Sequence, residues 1–176
     1  LSSFNDGNGT LISLKDESME NALVSGIAFQ KDQVKFTLHS VGDTPGTAFK
    51  ILGPISDAEI EVDVIVQNVS IDDKTDFTFT VSNEDKESVE KILTDLKTEV
   101  DYKEVIINSD IAKVSLVGAG MRSQAGVASK AFKALSENNV NIQIICTSEI
   151  KITMVIDEAL VDKAVNVLHE EFELEK

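Results

Sequence analysis

The chain has 176 residues, 42% of them apolar and 27% charged, which is typical of a globular protein of one domain or two small ones. Its 31 acidic and 16 basic residues give a formal net charge of −15, which argues against nucleic acid or an anionic membrane as a partner. No apolar run approaches the roughly 18 residues of a membrane span. A single cysteine, Cys146, and a beginning without the features of a secretion signal predict a cytoplasmic protein.

The sequence matches itself at an offset of 80 residues. The aligned pairs include Val34 with Val114, Gly46 with Gly126, Ala48 with Ala128, and Ile60 with Val140. Solenoid repeats are shorter, at roughly 20–50 residues, so this period indicates two copies of a small domain.

In the first copy, alternating apolar residues predict strands over residues 34–39, 61–66, 77–81 and 104–108. Apolar residues at three- to four-residue spacing predict helices around 48–55 and 89–96. The order βαββαβ is the ferredoxin-like pattern. Its helices cover one face of the sheet, which leaves the other face free to pack or pair.

The second copy repeats this order as far as a helix carrying residues 161–168, after which too few residues remain for a fourth strand. Residues 22–30 form a spare strand-like segment upstream. We therefore predict that they complete the sheet of the second copy. On this hypothesis the first copy is inserted within the second.

The loops after the paired strands resemble those of a known family. Gln67-Asn-Val-Ser and Cys146-Thr-Ser-Glu follow the second strand of each copy, and Gly42-Asp-Thr-Pro-Gly and Val114-Ser-Leu-Val-Gly-Ala-Gly-Met-Arg-Ser precede the first helices. Together they resemble the tandem ACT domains of bacterial aspartokinase. The resemblance implies an α+β fold with ACT domain 1 over residues 31–109 and ACT domain 2 over residues 22–30 plus 110–176. Residues 1–18 would be a remnant of the kinase domain and linker.

The resemblance also implies a function. The family phosphorylates aspartate at the head of lysine, threonine and methionine synthesis, and its ACT region binds lysine, threonine or both as feedback inhibitors. The kinase active site, with its ATP and Mg²⁺, would lie in a domain outside this chain, so no cofactor is expected here. The expected partners are the catalytic domain or α subunit and a second copy of the chain.

The resemblance places the first effector site at the start of the first helix, where amide groups and the positive dipole end favour a carboxylate. Asp43 is suited to an ammonium group, although its simpler role is to cap the helix. The resemblance also implies that the second strand of a neighbouring ACT unit contacts this site. The candidates for this site are Asp43, Thr44, Pro45, Gly46, Thr47, Ala48, Gln67, Asn68, Thr75, Thr78, Asn139, Asn141 and Ile142.

The second site departs from the first, because Ser123 aligns with Asp43 and cannot hold an ammonium by charge. Glu149 is the residue that could replace that charge. The candidates for this site are Ser123, Gly126, Val127, Ala128, Thr147, Ser148 and Glu149, with Glu61, Val62 and Asp63 as the reciprocal contacts. We expect the two sites to differ in ligand or affinity.

No catalytic or metal-ligating constellation is visible in the sequence, and His39 and His169 lack ligand spacing. Cys146 is predicted to be a small buried hydrophobe rather than a nucleophile. A small enzyme on this scaffold and an ACT-type dimerisation module without an amino-acid ligand are the alternatives. Calorimetry with lysine and threonine separates them from an effector-binding module.

Overall fold

The computed structural model describes residues 24–68, 72–118 and 126–174. Six strands form one antiparallel sheet in the order β2-β3-β1-β4-β6-β5. They are β1 Gly26–Gly42, β2 Ile65–Gln67, β3 Lys74–Ser82, β4 Glu104–Val117, β5 Ile142–Thr147 and β6 Lys151–Asp157. The helices are α1 Thr47–Asp57, α2 Lys86–Leu96, α3 Val127–Glu137 and α4 Val161–Glu171. The predicted α+β class is confirmed.

Each repeat has its own hydrophobic core between its two helices and one face of the sheet. In the first, Phe36 and Phe79 stack with ring centroids 5.5 Å apart beneath Ile51 and Ile55 of α1. In the second, the corresponding core joins Val114, Met154 and Leu135 to α4. The apolar spacing that predicted the helices therefore marks the faces that they bury.

Two long strands pass through both repeats. The first part of β1, Gly26–Gln30, pairs with the second half of β4, residues 113–117. The later part of β1 pairs with the first half of β4. Register shifts occur between Gln30 and Gln33, beside Asp32 with a φ of 57°. Val24 lies in the second core. The segment at 24–30 thus pairs on the second-repeat side, while the exact domain limits stay a prediction.

The sheet curls so that the faces without helices come together. Lys35 in β1 donates through Nζ to Oε1 of Gln143 in β5, although two other strands separate these strands in the sheet. Burial lowers the pKa of Lys35. Lys113 in β4 likewise reaches Asp63 of the first repeat. Polar side chains therefore fill part of the contact between the repeats.

Two local predictions were wrong. The second strand was predicted to begin at Glu61, but residues 61–64 are irregular and β2 begins at Ile65. Residues 63 and 64 still bond to Thr80 of β3: Thr80 accepts from the Asp63 N–H at 3.2 Å and donates to the Val64 carbonyl at 3.0 Å, and the Val64 N–H donates to the Thr80 hydroxyl. Cys146 is exposed instead of buried. It lies on the edge strand β5 opposite Thr153, on the face that the helices do not cover.

In the part of the chain that the structure describes, no helix is long and apolar enough to cross a membrane. Residues 1–18, predicted to be a kinase-domain remnant, and Ser123 lie outside the described residues.

Candidate functional site

The loop between β1 and α1 is held by its own threonines. Gly46 occupies the N-cap position of α1 with a φ of 94°, in the left-handed region, and no side chain caps the helix. The Thr47 hydroxyl donates to the Gly42 carbonyl at 3.0 Å and lies 3.1 Å from the Thr44 hydroxyl. The Thr47 N–H donates to the Thr44 carbonyl at 3.1 Å, and α1 has neither a side-chain cap nor an acidic residue in its first turn to offset its positive dipole end. Such a helix start suits a carboxylate ligand.

Asp43 and the end of β2 come together beside this helix start. Gln67 donates through Nε2 to Oδ1 of Asp43 at 3.3 Å, and both side chains are exposed. The backbone N–H of Asp43 is fixed by the Asp73 carbonyl at 2.9 Å. The Thr75 hydroxyl donates to the carbonyl of Asn68. The structure therefore gathers a carboxylate, an amide side chain and a helix start, all predicted from sequence.

Pro45 and Ala48 are exposed members of the same loop and helix start. Thr78 differs, because its hydroxyl lies 3.0 Å from that of Thr37 across β1 and β3. It stands three residues further along β3 than Thr75, on the face away from the helices. In one chain, Thr78 therefore has a cross-strand role rather than a place in the loop.

β1 contains a bulge just before the loop that leads to α1. The residues that hold this bulge were not predicted from the sequence. The register of β1 on β3 shifts between Leu38 and Val41, and Ser40 has a φ of 58°. Asp76 accepts from the Ser40 N–H at 3.0 Å and pairs with His39 Nδ1 at 3.0 Å. The Ser40 N–H, and then His39, lower the pKa of Asp76. Asp76 thus stabilises the bulge as a carboxylate.

The second repeat reproduces the helix start. Gly126 caps α3 with a φ of 110°, again without a side-chain cap, and Val127 is buried beside half-buried Ala128. The preceding residues 119–125 are among those not described. The β5–β6 hairpin carries Thr147, Ser148 and Glu149. Its turn is closed by the Ser148 N–H, which donates to the Lys151 carbonyl at 2.8 Å, and its Ile150 carbonyl accepts from the Gly118 N–H at 2.9 Å.

The contacts that the resemblance implies for the first site lie at the other edge of the sheet within one chain. Asn139, Asn141 and Ile142 line a surface groove of about 470 Å³ next to β5. The first loop lies beside β2, at the opposite edge of the sheet. Glu61 and Val62 precede β2, whereas the β5–β6 hairpin with residues 147–149 lies at the other edge of the sheet. Asp63 is engaged by Lys113 within the chain.

Among residues 24–68, 72–118 and 126–174, no three His, Cys, Asp or Glu side chains are grouped so as to hold a metal ion. The features that the structure brings together are anion-binding helix starts and nearby polar side chains. Such an arrangement can contact both charged groups of a small zwitterion.

Comparison with known proteins gives a consistent result. Models of the ACT domain match residues 38–101 and 114–172. The chain is 55% identical over 176 residues to an aspartate kinase of Pseudomonas fluorescens, and the match covers 99% of this chain but 43% of that protein. The chain therefore spans less than half the length of this relative.

Solved structures resemble the chain over most of their length. In a crystal structure of aspartokinase alpha and beta subunits, one chain is 44% identical with a TM-score of 0.80, over 86% of this chain and 99% of that one. The ligand-free regulatory subunit of aspartate kinase from Thermus thermophilus is 32% identical with a TM-score of 0.80, over 85% of this chain and 99% of that one.

Proposed function

The chain belongs to the aspartokinase family as its regulatory region of two ACT domains, and from this we propose that it binds an amino-acid end product, lysine, threonine or both. Binding would inhibit the phosphorylation of aspartate by feedback. The observation that carries the proposal is the helix start at Gly46 with Asp43 and Gln67 beside it.

The chemistry of an α-amino acid fits this arrangement. Its carboxylate would accept hydrogen bonds from the first-turn amides of α1, where the dipole adds attraction. Its ammonium would pair with Asp43, and Gln67, already 3.3 Å from Asp43, would bridge to either group. Thr75 would support the site by fixing the carbonyl of Asn68.

The two repeats would bind with different preferences. The second has Ser123 at the position of Asp43, so a ligand ammonium there would depend on Glu149. The acidic residues around the first site favour a cationic side chain such as that of lysine. Threonine, with a neutral side chain, is the second candidate effector.

A second copy of the chain would complete each site. β2 and β5 are the two edges of the sheet, and an edge strand presents unpaired backbone groups that favour pairing. If β2 of one chain lay beside β5 of another, the groove at Asn139, Asn141 and Ile142 would face the first loop. Residues Glu61, Val62 and Asp63 would face the second loop in the same way, as in a two-fold dimer.

In the whole protein, this region would act on a catalytic domain or α subunit in the cytoplasm. ATP and Mg²⁺ would be bound by that part, and the regulatory region itself would need no cofactor. An effector inhibits if it binds more tightly to the arrangement of ACT domains that disfavours catalysis.

Titration calorimetry of the purified chain with L-lysine and L-threonine, singly and in sequence, tests the proposal. We expect saturable heat with at least one of them, and D-lysine serves as the control because its α-carbon geometry is wrong. The absence of heat with either amino acid at millimolar concentration would contradict the proposal and favour a ligand-free dimerisation module.

A further inference from the structure

A buried lysine joins the two repeats. The side chain of Lys113, in the middle of β4, is 5% exposed, whereas its partner Asp63 in the first repeat is 46% exposed. The Lys113 ammonium donates to Oδ2 of Asp63. A buried ammonium is unfavourable without an anionic acceptor. The position of Asp63 is therefore tied to the second repeat by the charge of Lys113.

Asp63 is also tied to the first effector site. Its N–H donates to the Thr80 carbonyl at 3.2 Å, and the next N–H, of Val64, donates to the Thr80 hydroxyl at 3.2 Å. Thr80 is fully buried in β3. β2 follows at once and ends at Gln67, which contacts Asp43. A continuous series of contacts thus runs from Lys113 to the effector loop.

The ion pair has room to rearrange. A polar cavity of about 240 Å³ adjoins it, lined by Gln33, Glu61 and Asp85 among others. Lys113 therefore has three carboxylates at the walls of one cavity, those of Glu61, Asp63 and Asp85. A buried cation with alternative acceptors on a segment of the other repeat is an element that can adopt two arrangements.

We propose that Lys113 is a positioning residue for the first effector site: from the second repeat, it holds segment 61–64 and so couples the arrangement of the two repeats to effector affinity. The inference rests on the proposed function. Effector binding at Asp43 and Gln67 would favour the arrangement in which Lys113 pairs with Asp63. By reciprocity, breaking the pair weakens effector binding.

The test compares Lys113→Met, Lys113→Arg and Asp63→Asn with the native chain, using ¹H–¹⁵N NMR titrations with L-lysine and L-threonine. The Gly46 amide reports the first site and the Gly126 amide reports the second. We expect Lys113→Met and Asp63→Asn to raise the dissociation constant reported by Gly46 by roughly 2- to 30-fold, the range of substitutions that modulate coupling. Lys113→Arg keeps the charge and should recover most of the affinity.

Lys133→Met is the matched control, because Lys133 pairs with Glu137 at 3.8 Å on the surface, with 73% of its side chain exposed. It should leave both dissociation constants unchanged. A combined Lys113→Met and Asp63→Asn variant should bind no more weakly than the weaker single variant, since both remove one interaction.

An unchanged dissociation constant at Gly46 in Lys113→Met and Asp63→Asn, with or without a lower melting temperature, would overturn the inference. If Lys113→Met does not fold, Asp63→Asn decides alone, because Asp63 is half exposed and Asn has nearly the same shape. Failure of the proposed function is distinguishable, because the native chain itself would then show no shift with either amino acid.

Discussion

At the scale of residues, two glycines shape the effector loops. Gly46 and Gly126 begin α1 and α3 with φ values of 94° and 110°. Among the residues that the structure describes, a Cβ added at either would meet nothing within 4 Å, so it is the backbone conformation that favours glycine there. For L-residues the left-handed region costs roughly 1–2 kcal/mol. The two repeats therefore share the same backbone conformation at the N-cap of their first helix.

Gly46→Ala should therefore lower the free energy of unfolding by about 1 kcal/mol or more. Gly53→Ala is the matched control, because Gly53 lies inside α1 and an added Cβ would meet only the Phe49 ring at 3.7 Å. In a helix interior this change should stabilise, by roughly 0.5–1 kcal/mol. Urea unfolding monitored by circular dichroism measures the free energy of unfolding of both variants. Equal changes of the same sign would contradict the role of φ at Gly46.

Asp43→Ala should weaken effector binding by roughly 5- to 30-fold, because an exposed charge-assisted bond contributes about 1–2 kcal/mol. The fold should survive, since Asp43 is exposed and its backbone N–H keeps its bond to Asp73. Calorimetry measures the affinity. Asp57→Ala, at the exposed end of α1, should bind normally. An unchanged affinity for both amino acids in Asp43→Ala would remove Asp43 from the site.

At this scale, sequence reasoning identified residues that lie together in the structure, and their role in binding stays a prediction. Asp43, Gly46 and Gln67 were predicted from short motifs, and the structure brings them together. It missed contacts between residues distant in sequence. Asp63 was predicted to contact a ligand, but in the structure its carboxylate accepts a hydrogen bond from Lys113. A partner 50 residues away in the sequence leaves no local pattern from which the contact could be predicted.

At the scale of elements, a side chain that lies just before β4 contacts the last turn of α2. Tyr102 is buried, and its hydroxyl donates to the Leu93 carbonyl at 2.7 Å. Leu93 is among the last four residues of α2, whose carbonyls lack partners in the helix. Tyr102 therefore fixes the end of α2 to the start of β4.

Tyr102→Phe should lower the free energy of unfolding by about 1–2 kcal/mol at neutral pH, because the Leu93 carbonyl loses its donor. Burial raises the pKa of Tyr102 above its ordinary value of 10.0. A raised pKa means that the contribution is fully present below pH 10.0 and is lost as pH rises through the raised value. The difference between the variant and the native chain should therefore shrink in alkali.

Denaturant unfolding at neutral and alkaline pH measures this difference. Tyr102 is the single tyrosine of the chain, so phenolate absorbance gives its titration in the folded protein directly. A titration at the ordinary tyrosine pKa, or a stability difference independent of pH, would contradict the assignment.

Among elements, the helices were predicted well and the strands less so. The helix at about 127–136 was observed as Val127–Glu137, because a 3.6-residue period survives independently of distant partners. A strand takes its length from its neighbours. β1 continues through Asp32 because both halves of β4 lie beside it, and β2 is short because Asp63 and Val64 both bond to the single residue Thr80, which interrupts the regular pairing.

At the scale of the whole molecule, no other strand of residues 24–68, 72–118 and 126–174 pairs with the outer side of either edge of the sheet. β2 and β5 close the sheet at its two sides, and each exposes an isoleucine, Ile65 and Ile145, both 47% exposed. Cys146 is exposed beside Ile145. Exposed apolar side chains on an edge strand favour association, and natural edges that stay single usually carry charge there. The carried-over contacts for each effector site also lie at the opposite edge. The duplicated fold is thus suited to a pair of chains that share sites.

The native chain should therefore sediment with about twice its monomer mass of 19.1 kDa, and Ile145→Lys should sediment at that monomer mass. Lysine on β5 places a charge where the second chain would bury an apolar side chain. Ile150→Lys is the matched control, because Ile150 is 60% exposed but lies in the turn after β5 rather than on the edge. It should remain a dimer in sedimentation equilibrium.

If Ile145→Lys also weakens effector binding at Gly46 while Ile150→Lys does not, the second chain contributes to the first site. A monomeric native chain that still binds effector would instead place each complete site within one chain.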